Sequence, residues 1–560
     1  MRPSKPKLVS LHQQVLDKIN NKISDLDVSK WSKELHNDID KNYLLDGIQY
    51  GFSIVDREVV VKNVETNNHA SCRTGTNKHR IEQMLRLEIS NGRYVPVNTK
   101  PDICSPLAAI DKPDGSLRII QNASIPNDLS LNDYSDKKVT VKYQTVKDAL
   151  DMIVPGSFCC KIDLKSAYRS VGIRPSQYHM AGLQWKFAGD HEVTYMVDTR
   201  LMMGTSKAPS IFHRLSQAVK RCMEKRGYNV VAYLDDFLIV ADDYVTCLNG
   251  QHALLKLLRE LGFSIAWKKV EGPTRKLTFL GIAIDTVNMT VGLPDSKVAE
   301  LVQVLQEFRT KKRASLKQLQ SLAGRLNWAC NVIKCGRSYL HNILHTMSSL
   351  RLPNHKARLS KTVFDDIEWW ITILNTFPGK QVFHKPSINV VQFDACNTGS
   401  GFTYQGDWGY IDWECDIPEL TNLHINCKET ISAVLAARRW APMWRDSRVM
   451  FMTDSIVARS CIAKGTSKNP LLLPWVRELH IYSVLYNFDI DACWLPGVEN
   501  QIPDAISRLR LPHLRRWFMS VLGIDNHLEV NCINRLLCHV SKASLNFIFA
   551  RSSGDAEIIG

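Results

Sequence analysis

The sequence predicts a multidomain chain of mixed α/β (α+β) class, and three observations carry that prediction. At 560 residues it exceeds what one hydrophobic core serves, so three or four folded units are expected. A hydrophobic share of 44% and a charged share of 23% are those of an ordinary globular protein. Short apolar, β-branched runs alternate with stretches of helical spacing along most of the chain.

The elements follow in order. Residues 1–95 read as a helical, basic region without a catalytic signal. From Ser105, the segment SPLAAIDKPDGSLRIIQNAS gives two strands around the turn Lys112-Pro113-Asp114-Gly115. It belongs to a mixed α/β region, 96–285, with strands FCCKIDL, VVAYLDDFLIVA and LTFLGIAID and a helix-like stretch at 254–261. Residues 286–385 are mainly helical, a second α/β unit spans 386–510, and 511–560 form a weakly helical tail.

A net charge of +15 points to a polyanionic partner, nucleic acid or an anionic surface. No apolar run is long enough to span a membrane, and none at the start resembles a signal peptide, so no membrane partner is expected. The fifteen cysteines form no Cys-x-x-Cys pair. Cys330 with Cys335, and Cys532, Cys538 and His539 in the tail, lack a second ligand pair, so these cysteines read as plain buried or free thiols. The expected setting is intracellular, in cytoplasm or nucleus.

In VVAYLDDFLIVA, Asp235 and Asp236 interrupt an apolar run, as a hairpin with both in its tight turn would require. Two adjacent carboxylates resist ionisation when buried, and a divalent cation removes the conflict. Asp163 ends the strand of FCCKIDL and offers a third carboxylate. Three such acids suit two Mg²⁺ ions about 4 Å apart, with Mn²⁺ as the alternative ion. An Asp-Asp pair alone reads as the cap of a solvent-exposed turn, and the surrounding sequence reverses that reading.

Five ordered blocks decide between these readings. Tyr233-Leu234-Asp235-Asp236, Asp163-Leu164-Lys165-Ser166-Ala167-Tyr168, LMMGTSKAPSIF at 201–212, LGFSIAWKK at 261–269 and TFLGI at 278–282 together resemble the reverse transcriptases of retroelements. The resemblance implies a right-hand polymerase, with fingers and palm over 96–285 and a helical thumb and connection over 286–385. Its metal ligands would be Asp163, Asp235 and Asp236, with the carbonyl of Leu164 a further candidate. Tyr168 would lie under the incoming sugar and exclude a 2′-hydroxyl. Lys112 and Arg118, in the phrase Lys-x-Asp-Gly-x-x-Arg, would hold the triphosphate. Gly204 and Met203 would line the nucleotide site. Met202-Met203 departs from the family's Pro-Gln or Pro-Phe and removes an amide that could hydrogen-bond. Lys268 or Lys269 would protonate pyrophosphate, and the sequence does not choose between them.

A second acid set recurs downstream. Asp394 lies on the first of three short strands, Glu429 in the first turn of a helix with Ile431, Val434 and Leu435 on its apolar face, Asp454 at a strand end, and Asp504 near a helix start. The order Asp…Glu…Thr-Asp-Ser…Asn-x-x-x-Asp-Ala-x-Ser-Arg is similar to retrotransposon ribonuclease H domains. That likeness makes these four acids the catalytic, metal-binding positions, again for two Mg²⁺ ions. The histidine that many cellular members carry after Pro-Gly is here Val498.

The resemblance therefore implies RNA template, DNA primer, RNA–DNA hybrid and dNTPs as partners. The phrases NYLLDGIQYGFSI and IPDAISRL look most like DIRS-type retrotransposons, which integrate through a recombinase encoded elsewhere; long-terminal-repeat elements are the next candidate. The competing reading is a domesticated or decayed copy that only binds nucleic acid.

Overall fold

The computed structural model describes residues 10–509, apart from 59–60, 74, 112–114, 116, 136–139, 378 and 383–386. The chain divides into two compact units, Met1–Leu280 and Gly281–Gly560. Both mix helices and sheets. Among the described residues, no helix is long and apolar enough to cross a membrane.

In the first unit, an antiparallel four-stranded sheet runs in the order Glu271–Thr274, Phe158–Asp163, Asp236–Ala241, Asn229–Tyr233. Residues alternate across each strand, so Cys160, Ile162, Phe237 and Ile239 join one buried cluster. Helix Ala208–Glu224 meets the same cluster with Ile211, Phe212, Leu215 and Val219, a stripe at three- and four-residue spacing. Pro209 in its first turn loses no backbone bond there. Helix Tyr244–Glu260 starts where Asp243 accepts from the Thr246 N–H at 2.9 Å, a cap that contributes about 1 kcal/mol. Its Leu254 and Leu258 are fully buried, each contributing about 1.5–3 kcal/mol.

The strands expected around residues 105–124 form the antiparallel hairpin Leu107–Asp111 with Leu117–Gln121. The basic opening region contains the helices Leu11–Lys18, Val28–Glu34, Lys41–Tyr50 and Gly75–Ser90. Part of it docks on the sheet-backing helices: buried Trp31 donates from Nε1 to the Leu261 carbonyl at 3.1 Å, and Arg221 and Arg226 pair with Asp38 and Glu34. LTFLGIAID is not one strand. It breaks into Lys276–Phe279 and Ile282–Asp285 at Leu280 and Gly281, which both have positive φ, 48° and 81°.

The second unit opens with the hairpin Ile282–Asp285 and Thr290–Gly292, joined by Lys380–Gln381. The expected helical stretch holds Asp295–Arg309, Leu316–Ala329, His341–Ser348 and Lys361–Thr376. Cys330 and Cys335 are free and buried. A five-stranded sheet follows in the order Asp407–Asp412, Gly399–Tyr404, Ile388–Ala395, Arg448–Thr453, Asp489–Trp494. The first three strands pair antiparallel and the last three parallel, with Ile388–Ala395 common to both sets.

Helix Ile425–Trp440 has more than the single apolar face expected: Cys427 through Ala437 are all buried. Small residues at Ser432, Ala433, Ala436 and Ala437 let neighbours close in on every side, so apolar periodicity understates its burial. Residues 511–560, including Cys532, Cys538 and His539, lie outside the described residues.

Candidate active sites

The first acid set is assembled by strand register. Asp236 stands opposite Asp163 on one neighbour and Tyr233 on the other, so the hairpin has a two-residue turn of Leu234 and Asp235. Asp236 is therefore the first residue of the returning strand and not part of the turn. Leu234 has φ of 53°, an uncommon conformation for a leucine that aims the next peptide at the Asp163 strand. The Leu164 N–H then donates to the Asp235 carbonyl at 3.0 Å, and the Ala266 N–H to the Asp163 carbonyl at 2.9 Å. Three loops are thereby fixed around the carboxylates.

Burial, then the charge of Asp163 and a hydrogen bond with it, push the Asp236 carboxyl up to about 7. Burial and Asp163 also raise Asp235, while Lys269 and Arg118 pull it down. Arg118 is thus within electrostatic reach of the turn from its exposed place on strand Leu117–Gln121. Lys112 lies outside the described residues. Of the two candidate lysines, Lys269 donates from Nζ to Asp163 Oδ2 at 2.8 Å, and that bond raises its own pKa. Lys268 is exposed and makes no such contact.

Tyr168 is half-buried and stacks on Phe212 with centroids 4.9 Å apart; burial and the charge of Asp235 push its phenol up. Both the packing role and the substrate-facing role are thus compatible with one position. Met202 is buried in the core, whereas Met203 is 39% exposed. Gly204 has φ of 120°, and a Cβ there would lie 2.5 Å from the Gln121 carbonyl oxygen, so the loop requires glycine.

The second set gathers more tightly. Asp394, Glu429 and Asp454 offer ligand atoms all within 4.8 Å of one another, the one such group of three among the described residues. Glu429 lies one full turn inside its helix, which starts at Ile425 behind His424, rather than in the first turn. Its Oε1 accepts from the Ala395 N–H at 3.2 Å, while Oε2 is buried with no partner. Burial, then Asp394 and Asp454, push Glu429 up to about 9. Burial pushes Asp394 up to about 7 against the hydrogen bond from Ser507, and burial also raises Asp454. An unsatisfied carboxylate oxygen facing two other acids is the donor set a hard divalent cation fits.

Asp504 stands outside that group of three. It accepts from Arg508 Nε at 2.8 Å, yet its charge still raises Asp394 and Asp454. Ser507, which sequence reasoning did not single out, donates from Oγ to Asp394 Oδ2 at 2.8 Å. Its signal lay in the Asp-Ala-x-Ser-Arg phrase, but the partner is 113 residues away in the chain. Trp494 donates from Nε1 to the Asp454 carbonyl at 2.8 Å. Val498 is exposed in the following loop.

Comparison with known proteins supplies the remaining observations. Residues 110–284 match the family described as reverse transcriptase (RNA-dependent DNA polymerase). The Pro-Pol polyprotein of simian foamy virus type 1 is 27% identical over 234 residues, 41% of this chain and 18% of that protein. The Transposon Tf2-3 polyprotein of Schizosaccharomyces pombe is 22% identical over 414 residues, 72% of this chain and 29% of that protein. The Gag-Pol polyprotein of avian reticuloendotheliosis virus is 27% identical over 148 residues, 26% of this chain and 12% of that protein. The chain thus spans under a third of each of these relatives. Among solved structures, the foamy viral protease-reverse transcriptase dRH in complex with double-stranded DNA matches with a TM-score of 0.52 at 16% identity, over 89% of this chain and 84% of that one. The foamy viral protease-reverse transcriptase in complex with an RNA/DNA hybrid matches with a TM-score of 0.50 at 16% identity, over 88% of this chain and 64% of that one. The fold is that of a reverse transcriptase.

Proposed function

We propose that this chain, whose residues 110–284 form a reverse transcriptase domain of the retroelement type, is an RNA-directed DNA polymerase that also cleaves the RNA of RNA–DNA hybrids. The observation that carries the polymerase reading is the register that sets Asp236 beside Asp163, with Asp235 in the adjoining turn. The nuclease reading rests on the three converging acids with the unpartnered Glu429 oxygen at their centre. Its substrate follows from relatives: one structural neighbour was solved with an RNA/DNA hybrid. RNA template, DNA primer, hybrid and dNTPs are the proposed ligands, with Mg²⁺ or Mn²⁺ at each acid set.

Asp163, Asp235 and Asp236 would hold the polymerase cations, and Asp394, Glu429, Asp454 and Asp504 the nuclease ones. Bound divalent cations supply the Lewis acidity that activates the attacking oxygen and stabilises the departing one. The protein's own groups do the rest. Asp163 and Asp236 keep their carboxylates on one strand pair, Arg118 attracts the triphosphate, and Tyr168 closes the space a 2′-hydroxyl would need. Lys269, which bonds to Asp163, would give a proton to pyrophosphate. Ser507 fixes the orientation of Asp394 through its hydroxyl.

The proposed division of the chain is a basic helical region over 1–95, fingers and palm over 96–285, thumb and connection over 286–385, a ribonuclease H-like domain over 386–510, and a tail over 511–560. One assay tests the whole reading: a DNA primer on a labelled RNA template with dNTPs and Mg²⁺. Asp235→Asn should lose extension by roughly 10²–10³-fold and keep RNA cleavage, while Asp454→Asn should do the reverse. Loss of both activities in both variants defeats the two-site reading. Tyr168→Ala should let ribonucleotides compete with deoxynucleotides; unchanged selectivity removes the sugar role.

A further inference from the structure

The second unit contains a cavity of about 810 Å³ that neither acid set uses. It is walled by Lys334 and Arg337 on the 3-10 helix Lys334–Leu340, Lys380 on its short strand, Lys464 at the end of helix Ile456–Lys464, and Asp489. Arg445 and Asp446 complete the rim, just before strand Arg448–Thr453 begins. Strands Arg448–Thr453 and Asp489–Trp494 both start at the cavity and run in parallel toward Asp454. Six-residue strands span about 17–20 Å, so the cavity is a separate place at the opposite end of the sheet.

Its charge is out of balance. Five cationic side chains line it against three carboxylates, those of Asp446, Asp489 and Asp491. Lys334 and Lys380 converge on the same oxygen, Asp489 Oδ1, the former at 3.0 Å. Burial and the neighbouring Lys334 hold the Lys380 ammonium below its usual range. Asp491 is engaged by Arg448 at 3.4 Å, and Asp446 accepts from Asn487 at 2.8 Å. Among the described residues, Arg337 and Lys464 have no ion-pair partner. Crowded ammonium groups around one shared carboxylate favour an incoming anion with several oxygens. The volume falls in the range of nucleotide-sized ligands.

We infer that this cavity binds phosphate groups, held between Lys334, Lys380, Arg337 and Lys464. The groups come either from a free polyphosphate, such as a nucleotide, or from the backbone of a nucleic-acid strand. The inference does not depend on the proposed polymerase or nuclease chemistry, and its test runs without either. Titration calorimetry of the full chain in EDTA, with inorganic tripolyphosphate as the probe, should show saturable binding. Arg337→Gln combined with Lys464→Gln, both on the exposed rim, should weaken it at least tenfold while circular dichroism stays unchanged. Lys334→Gln, made alone, should weaken it too. A ten-residue oligothymidylate that displaces the probe identifies a backbone site. One that binds without displacing it identifies a free-polyphosphate site, and both results support phosphate recognition. No saturable binding, or wild-type affinity in the double variant, overturns the inference.

Discussion

Each unit crowds carboxylates at strand ends, but the two units offset the repulsion by different means. In the first, an ammonium arrives on a flexible arm: Lys269, 64% exposed, reaches Asp163 at 2.8 Å. In the second, Asp394 and Glu429 receive a hydroxyl from Ser507 and a peptide N–H from Ala395, and the Arg508 guanidinium bonds to Asp504, reaching Asp394 and Asp454 only through its charge. The first set therefore carries its own counter-charge. The second leaves a buried oxygen, Glu429 Oε2, without a partner.

The largest expected effects test that contrast by removing each device. If Lys269 delivers the proton to pyrophosphate, Lys269→Gln should slow extension by about 10²–10⁴-fold. Stability should fall by roughly 1–3 kcal/mol, because Lys269 is exposed but its partner Asp163 is buried and would lose its counter-charge. Hybrid cleavage should not move. Ser507→Ala should slow hybrid cleavage by about 10–100-fold, the usual cost of losing a group that orients a metal ligand, and leave extension intact. Single-turnover rates on one template measure both. A larger loss in Lys268→Gln than in Lys269→Gln would break the assignment.

A smaller effect concerns stability without metal. The Asp394 carboxyl is raised from its ordinary 3.8 to about 7 in the folded unit. A raised folded pKa means the folded state holds a proton that the unfolded state releases. That contribution is fully present below about pH 4 and is lost as pH rises through about 7. At pH 8 in EDTA, Asp394→Asn should therefore stabilise the second unit, by on the order of 1–3 kcal/mol. In saturating Mg²⁺ the order should reverse, since the wild type, with every proposed ligand in place, gains more from the cation. Hydrogen exchange in strands Ile388–Ala395 and Arg448–Thr453 reads the difference. An equal response to Mg²⁺ in both proteins would mean that Asp394 does not hold the ion.

What the sequence disclosed, and what it hid, follows the same physics. Acids that interrupt apolar strands stand out because burying them needs a compensating partner, so Asp163, Asp235, Asp236 and Asp394 were visible in one dimension. The choice between Lys268 and Lys269 was not, because it depends on which side chain the 3-10 helix Trp267–Lys269 turns toward Asp163. Ser507 was hidden because its partner lies far off in the chain. The burial of the Glu429 helix was hidden because alanine and serine carry too little hydrophobicity to mark a face, and the strand position of Asp236 because register, not composition, decides where a strand resumes.

The smallest effect concerns the two methionines that set this chain apart from the family pattern. Their neighbouring positions lead opposite lives: Met202 is 1% exposed and Met203 39% exposed. A polar side chain at Met202 would bury an amide with no assured partner, which is destabilising. At Met203 the amide would stay wet, so Met203→Gln should leave the unfolding midpoint unchanged. If Met203 touches the incoming nucleotide, the substitution restores a hydrogen-bonding group and should shift KM for dNTPs by less than about tenfold, with kcat nearly constant, because one exposed hydrogen bond contributes only about 0.5–1.5 kcal/mol. A KM identical to wild type for all four dNTPs would remove Met203 from the nucleotide site and leave Gly204 there for steric reasons alone, since its Cβ clash with Gln121 operates without any ligand.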